Sequence, residues 1–324
     1  MTIKKHLLNW YAKHQRVLPF RGSNNPYHIW ISEIMAQQTQ IDTMIPYYER
    51  WMSVFPTIES VANASEVEIL KMWEGLGYYR RARFIHQAAK KIMNDYQGVF
   101  PHEYEEVRSL PGIGDYTAGA IMSIAFNSAV VAVDGNVVRV ISRLYGIHEN
   151  PSKRTTLDII KNHMAPFLDN ENNHLLTQAW MELGALVCTP KNPKCNDCPL
   201  KSFCYANQYN KQSELPMVVK KSLIKKEFYD VILNFSDETI FMSLDDSDGL
   251  MQGMYRLPQV SETIREERPV FVSKHIYSHK TWAMNVFVNQ LDNTENVIPI
   301  KIKELKNVPI ITAHKKIIDK IIKR

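Results

Sequence analysis

Apolar positions recur at helical spacing along residues 1–205 and at strand spacing from about residue 226 onward. Ser65-Glu66-Val67-Glu68 has the form of a capping box ahead of the apolar Ile69, Leu70, Met72 and Trp73, and Gly75 ends that helix. Pro26 suits the first turn of a helix carrying Ile29, Trp30, Ile34 and Met35. The same period predicts helices over 79–97, 115–126, 136–145, 152–164 and 171–187. Residues 206–225 break the pattern with Gln208, Asn210, Gln212, Pro216 and the basic Lys220, Lys221, Lys225 and Lys226. Beyond them Phe228–Phe235, Thr239–Leu244, Val270–Tyr277 and Trp282–Val288 are rich in β-branched and aromatic residues, as strands require. Ile317, Ile318, Ile321 and Ile322 share one face of a last helix. The pattern therefore divides the chain into an all-α domain at 1–209, a linker at 210–225 and a smaller α+β domain at 226–324.

Composition changes this picture little. The 324 residues are 45% hydrophobic and 23% charged, which is ordinary for a globular chain and long enough for two domains. No apolar run approaches the roughly 20 residues of a membrane helix, and the N-terminus lacks a signal-peptide core, so a cytoplasmic protein is expected. The net charge of +5 is shared by both parts, with 23 Lys and Arg against 20 Asp and Glu in residues 1–220 and 16 against 14 in the remainder. Any nucleic-acid-binding face must then be local.

The cysteines are more informative. All four, Cys188, Cys195, Cys198 and Cys204, fall in one short segment among Lys191, Lys194 and Lys201. Disulfides usually tie distant segments together, whereas clustered thiols in a reduced compartment point to a metal. The spacing C-x6-C-x2-C-x5-C admits one tetrahedral ion or one iron–sulfur cubane, and only one of the two C-x2-C pairs common in zinc sites is present.

Two further stretches carry chemistry. In Leu110-Pro111-Gly112-Ile113-Gly114-Asp115-Tyr116 a tight turn leads directly into a helix. Outward-pointing N–H groups at such a helix start favour a phosphate, and Gly112 and Gly114 leave room for a DNA backbone; an ordinary turn is the alternative. Asp134 follows an apolar run and precedes Gly135-Asn136. It reads either as a plain helix cap or as a carboxylate kept ionised by the helix dipole to stabilise a cationic transition state.

These features, in this order, resemble the helix-hairpin-helix DNA glycosylase superfamily whose members carry a C-terminal iron–sulfur cluster, over roughly residues 5–205. The resemblance implies a [4Fe–4S] cluster on the four cysteines. The lyases of this superfamily carry a Lys where this chain has Tyr116, and a phenol forms no imine with the sugar. The segment Ile29-Trp30-Ile31-Ser32-Glu33-Ile34-Met35-Ala36-Gln37-Gln38-Thr39-Gln40 is similar to the catalytic segment of the MutY-type adenine glycosylases, in which an acid at the position of Glu33 donates a proton. By pattern alone Glu33 would be an acid on a solvated helix face. Its apolar neighbours Trp30, Ile31, Ile34 and Met35 favour a raised pKa, so that it protonates adenine N7 while Asp134 stays ionised beside the sugar or attacks it. The family analogy adds Tyr116 and Asn136 to the catalytic group.

A glycosylase must extrude its base. The resemblance places Gln38, Thr39 and Tyr78 at the DNA, with Gly112, Gly114, Arg80 and Arg81 on phosphates, and Arg21, Trp30 and Gln178 around the adenine. Core packing is the alternative for Tyr78 and Tyr79. In the second part Gly253-Met254-Tyr255-Arg256-Leu257-Pro258 and Tyr277-Ser278-His279 resemble strings of the MutT (Nudix)-like domain that reads 8-oxoguanine, with Tyr277 in place of a Phe. Ser278 and His279 would sense the oxidised base, unless they form a simple turn. Glu266 and Glu267 follow Arg265, but the glycine-led metal box of the Nudix hydrolases is missing, so binding without hydrolysis is expected.

The implied fold is an all-α helix-hairpin-helix glycosylase domain with an iron–sulfur loop and a C-terminal α+β Nudix-like domain. The implied partner is double-stranded DNA with adenine opposite 8-oxoguanine or guanine, bound by a monomer at the nucleoid. An endonuclease III-like lyase for oxidised pyrimidines and a non-catalytic iron–sulfur damage sensor are the alternatives.

Overall fold

A computed structural model describes residues 2–169, 171–217, 224–236, 238–244, 251–261, 268–277, 280–288 and 297–322. In chain order the helices are α1 (Ile3–His14), α2 (Pro26–Ala36), α3 (Ile41–Val54), α4 (Ile58–Asn63), α5 (Glu66–Trp73), α6 (Arg80–Asp95) and α7 (Tyr104–Arg108). They continue with α8 (Asp115–Ala125), α9 (Gly135–Tyr145), α10 (Arg154–Met164), α11 (Asn173–Leu186), α12 (Tyr205–Gln208) and α13 (Thr312–Ile322). The strands are β1 (Lys225–Leu233), β2 (Phe235–Ser236), β3 (Thr239–Met242), β4 (Gln259–Ser261), β5 (Phe271–Ile276), β6 (Lys280–Val288) and β7 (Ile298–Lys301). Among the described residues no helix is long and apolar enough to cross a membrane.

Local signals set the helix ends. Ser65 and Glu68 form the reciprocal capping box of α5, and Asn25 caps α2 with Pro26 in its first turn. The polypeptide folds into two compact units, one of Met1–Glu49 with Lys91–Lys220 and the other of Arg50–Lys90 with Lys221–Arg324. This differs from the split read in the sequence, which kept residues 50–90 with the first domain. It follows from packing, since the chain passes from one unit to the other within α3 and α6, where no linker marks the change.

The core of the first unit joins Leu7, Trp10 and Tyr11 of α1 to Val137, Val140, Ile141 and Leu144 of α9 and to Leu176, Ala179, Trp180 and Leu183 of α11. α11 packs against α1, α8 and α9, and α2 packs against α8. α2, packed on α8, and the start of α9 thus hold the two acidic candidates, Glu33 and Asp134, close to the hairpin between α7 and α8. Part of the segment expected to be a linker belongs to this unit. Leu215 is buried, and its carbonyl accepts a hydrogen bond from Arg143 Nε at 2.8 Å.

The second unit contains a four-stranded sheet in the order β4-β1-β6-β5, with β1 and β6 parallel and the other pairs antiparallel. β2, β3 and β7 form a separate antiparallel sheet. α13 packs on β5, and its His314 is fully buried with Nδ1 accepting from the Leu257 N–H at 2.9 Å. Burial and the nearby Arg256 hold that imidazole down at about 3, so it stays neutral.

Candidate active site

α2 presents Ile29, Ser32, Glu33 and Ala36, spaced along one face, and its C-cap Gln37 to a cavity of about 980 Å³. Tyr116 and Thr117 of α8, Asp134 and Asn136 at the start of α9, and Gln178 and Glu182 of α11 line the same cavity. Tyr116 lies in the first turn after the hairpin, and its hydroxyl donates to Glu33 Oε2 at 2.5 Å. Asp134 is the N-cap of α9, with Oδ1 accepting from the Val137 N–H at 2.7 Å and Oδ2 from Asn136 Nδ2 at 2.8 Å. Asp134 therefore caps the helix and also faces the cavity. Two close approaches keep this geometry. A Cβ on Gly184 would lie 2.6 Å from Asn136 Cβ, and one on Gly119 would lie 2.8 Å from the Val131 carbonyl oxygen just ahead of Asp134.

The electrostatics divide the two acids. Burial lifts Glu33 to about 7, and the negative charge of Asp134 adds to this against the Tyr116 hydrogen bond. Asp134 is also raised by burial, but the N–H of Val137, the Asn136 amide and the Arg139 charge oppose the rise. Burial and the two carboxylates hold the Tyr116 phenol well above its usual value, so it remains a proton donor in its hydrogen bond. One acid that is half protonated near neutrality therefore faces another held by the hydrogen bonds of Val137 and Asn136 and by one cation, Arg139.

The floor of the cavity holds a group that the sequence did not reveal. Glu182 is 1% exposed. It accepts from Arg21 at 2.9 and 2.8 Å and from the Arg16 guanidinium at 2.9 Å through each oxygen. Burial alone would raise this carboxyl, but the two guanidiniums overcome it and hold it at about 2. The spacing of Gln178 and Glu182, one helical turn apart in α11, was the available signal. Arg21 lines the cavity with its charge already paired, and Gln178 lines it while accepting from the Tyr11 hydroxyl at 3.3 Å.

Other expected residues are placed differently. Trp30 is completely buried against Tyr27 and Phe100 and does not line the cavity, so it is a core residue. Gln38 and Thr39 lie at the cavity edge, and Gln38 has a left-handed backbone with φ 55°. Gly112, with φ 79°, makes the hairpin turn, and Gly114 is the N-cap of α8 on the cavity wall. In the second unit Tyr78 is exposed and left-handed, with φ 50°. Holding a non-glycine residue there costs about 1–3 kcal/mol, and such strain tends to gather at functional positions. Arg80 lies over the Phe84 ring at 4.9 Å. Arg81 is buried and donates to the Gly77 carbonyl at 3.1 Å, so it shapes the Tyr78 loop instead of facing phosphate. Tyr277 packs on Trp282 with ring centroids 5.0 Å apart, while Ser278 and His279 lie outside the described residues, as do Glu266 and Glu267.

The four cysteines form no disulfide and line one small cavity of about 30 Å³ with Arg143 and Gln212. Four thiols around one shared space are the donor set that an iron–sulfur cubane takes. Burial pushes the Cys198 thiol up to about 12, and the neighbouring cysteines add to the rise, so metal loading must displace protons. Arg143 Nη1 donates to Cys188 Sγ at 3.4 Å and to the Thr189 carbonyl at 2.8 Å. Arg139 spans the two sites, donating to the Cys188 carbonyl at 2.7 Å and to Asn136 Oδ1 at 2.8 Å. When bound, the cluster cross-links four points of the 188–204 loop. Replacing Cys198 with Ser is expected to abolish the visible iron–sulfur absorbance and to lower the thermal midpoint by several degrees. Unchanged melting would show that the loop is held without it.

Comparison with known proteins settles the family. Residues 31–166 match the HhH-GPD superfamily of base excision DNA repair proteins, and residues 188–204 match the iron–sulfur binding domain of endonuclease III. An adenine DNA glycosylase of Buchnera aphidicola subsp. Baizongia pistaciae is 39% identical over 258 residues, covering 78% of this chain and 72% of that protein. The chain belongs to the adenine DNA glycosylases, with a [4Fe–4S] cluster as cofactor. The adenine DNA glycosylase of Homo sapiens is 41% identical over 218 residues, 64% of this chain but 40% of that longer protein. That of Rattus norvegicus is likewise matched over only 43% of its length. A thermostable thymine-DNA glycosylase structure superposes with a TM-score of 0.59 at 26% identity, over 64% of this chain and 95% of that one. A trapped endonuclease III–DNA complex gives 0.55 at 22% identity, covering 65% of this chain and 99% of that one, which shows a shared fold.

Proposed function

We propose that this chain is a monofunctional base excision repair enzyme that hydrolyses the N-glycosidic bond of adenine opposite 8-oxoguanine or guanine in double-stranded DNA. The observation that carries the reading is the pairing, in one cavity, of a carboxyl poised near pH 7 with a second carboxylate held by a helix N-terminus. Adenine leaves poorly as an anion, so Glu33 gives its proton to N7 as the C1′–N9 bond breaks. Asp134 stabilises the cationic sugar or bonds to C1′, after which water adds there and returns a proton to Glu33. Tyr116 orients Glu33 and Asn136 orients Asp134. Gln38 and Tyr78 enter the duplex, supported by their strained backbones, and Tyr277, Ser278 and His279 read the oxidised guanine. The reading includes a monomer acting on chromosomal DNA in the cytoplasm.

The deciding assay incubates duplexes with A opposite 8-oxoguanine, G or T and measures free adenine and alkali-labile sites. Release from the first two only is expected; no release would favour a non-catalytic sensor. The fold shared with endonuclease III keeps a lyase in view, but Tyr116 occupies the position of the imine-forming lysine. Borohydride is therefore expected to trap little covalent complex with the wild type, and efficient trapping would overturn the monofunctional reading.

A further inference from the structure

Within the second unit, residues 71–79 are fastened to residues 308–315 by a compact set of polar links. Glu74, the C-cap of α5, is the hub, with a side chain only 7% exposed. It takes Lys71 Nζ at 2.5 Å and is ion-paired with Lys315 of α13, and the Ile310 N–H points at it from 3.5 Å. Lys71 Nζ also donates to the Val308 carbonyl at 2.9 Å. Five residues on, the Tyr79 hydroxyl accepts from the Gly75 N–H at 3.4 Å and lies 3.2 Å from Thr312 Oγ1 at the start of α13. Inside the loop the Trp73 indole donates to the Gly77 carbonyl at 3.0 Å, and buried Arg81 donates to the same oxygen.

Tyr78 is the one non-glycine residue of this loop that is both left-handed and exposed, lying between the Glu74 and Tyr79 anchors. A lone left-handed tyrosine relaxes unless its neighbours over-determine it. Four contacts that fix the residues around it, on Lys71, Glu74 and Tyr79, come from residues 308–315, at and before the N-terminus of α13. We propose that Glu74, Tyr79, Thr312 and Lys315 are positioning residues that hold Tyr78 in its DNA-entering conformation, so that the C-terminal segment sets this wedge. The proposal rests on the reading of Tyr78 as a residue that penetrates the duplex.

The test is a mutant cycle on single-turnover adenine release from an A:8-oxoguanine duplex, with the full chain loaded with its cluster. Tyr78→Ala is the wedge variant, Thr312→Val with Lys315→Met the seat variant, and the three changes are then combined. Each of the first two is expected to slow release about tenfold, and the combination no more than Tyr78→Ala alone, because both act through one side chain. A 2-aminopurine beside the mispair is expected to report equal loss of stacking in the wedge and seat variants. Lys315→Arg is expected to restore the rate. Tyr79→Phe, which removes a single hydroxyl, gives the same comparison should the double change impair folding. Multiplicative losses, or a seat variant with the wild-type rate, would overturn the proposal while leaving Tyr78 as the wedge. A Tyr78→Ala variant with the wild-type rate would instead overturn the reading beneath it.

Discussion

Glu33→Gln is expected to lower single-turnover adenine release by about 10²–10⁴-fold, the usual weight of a general acid, and to leave duplex affinity unchanged. The glutamine retains a carbonyl oxygen to accept from the Tyr116 hydroxyl, so the hydrogen bond at 2.5 Å has a replacement and the cavity keeps its shape. What is lost is the proton. In the wild type the rate is expected to fall as pH rises through about 7, where Glu33 ionises, and this limb should vanish from the residual rate of the variant. The same residue makes a stability prediction of opposite sense. The folded protein holds the Glu33 proton up to about 7, whereas the unfolded side chain loses it near 4.5. Between these values the folded state binds more protons, so the contribution of Glu33 is fully present below pH 4.5 and is lost as pH rises through 7. Glu33→Gln should therefore melt higher than the wild type at pH 8, with the gap closing below pH 4.5. An inactive variant that is more stable at pH 8 would locate the cost of catalysis in one buried carboxyl. A variant with normal turnover would remove Glu33 from the mechanism.

Features whose partners lie nearby in the chain were legible from sequence. The Ser65–Glu68 box, Pro26 at a helix start, the hairpin before Tyr116 and the clustered cysteines are each determined within about 20 residues, and each stands where its local chemistry placed it. Long-range pairing was less legible. Glu182 meets Arg16 and Arg21 across more than 160 positions, and nothing near Arg21 indicates that its charge is already taken. Trp30 and Glu33 are three residues apart on α2, close enough in helical phase that spacing alone could not tell core from cavity. Arg81 looked like a phosphate ligand because a basic run usually faces solvent; here two loop carbonyls draw it inward, and burial lowers it to about 10. The short β4 and β7 carry too few residues to show an alternating pattern, and the parallel β1–β6 pairing joins strands about 55 residues apart. The strain at Gln38 and Tyr78 is likewise a property of the folded backbone that no residue type announces.

Asp134→Asn and Asp134→Ala should separate the observed helix cap from the catalytic duty proposed for the same carboxylate. Asparagine is as good an N-cap as aspartate, and its side-chain oxygen can accept the Val137 N–H that Asp134 now takes at 2.7 Å. The fold should then survive with little change in melting temperature. Because burial is the largest influence on this carboxyl and raises its pKa, removing the charge also relieves a desolvation cost. The cavity, however, loses the negative charge that faces the developing cation at C1′, and release should fall by about 10²–10³-fold or more, as when a preorganised electrostatic partner is deleted. Alanine loses the charge and the cap together. Its activity should be as low as that of the asparagine variant, while its stability should drop by about 1 kcal/mol. Low pH offers a third route to the same loss, since a raised pKa lets Asp134 protonate earlier than an ordinary aspartate and produces the acid limb of a bell-shaped profile whose basic limb belongs to Glu33. Thermal melts beside single-turnover rates for the two variants are sufficient to check the division. If the asparagine variant were fast and only the alanine variant slow, Asp134 would be a structural cap, and the stabilising charge would have to come from elsewhere in the cavity.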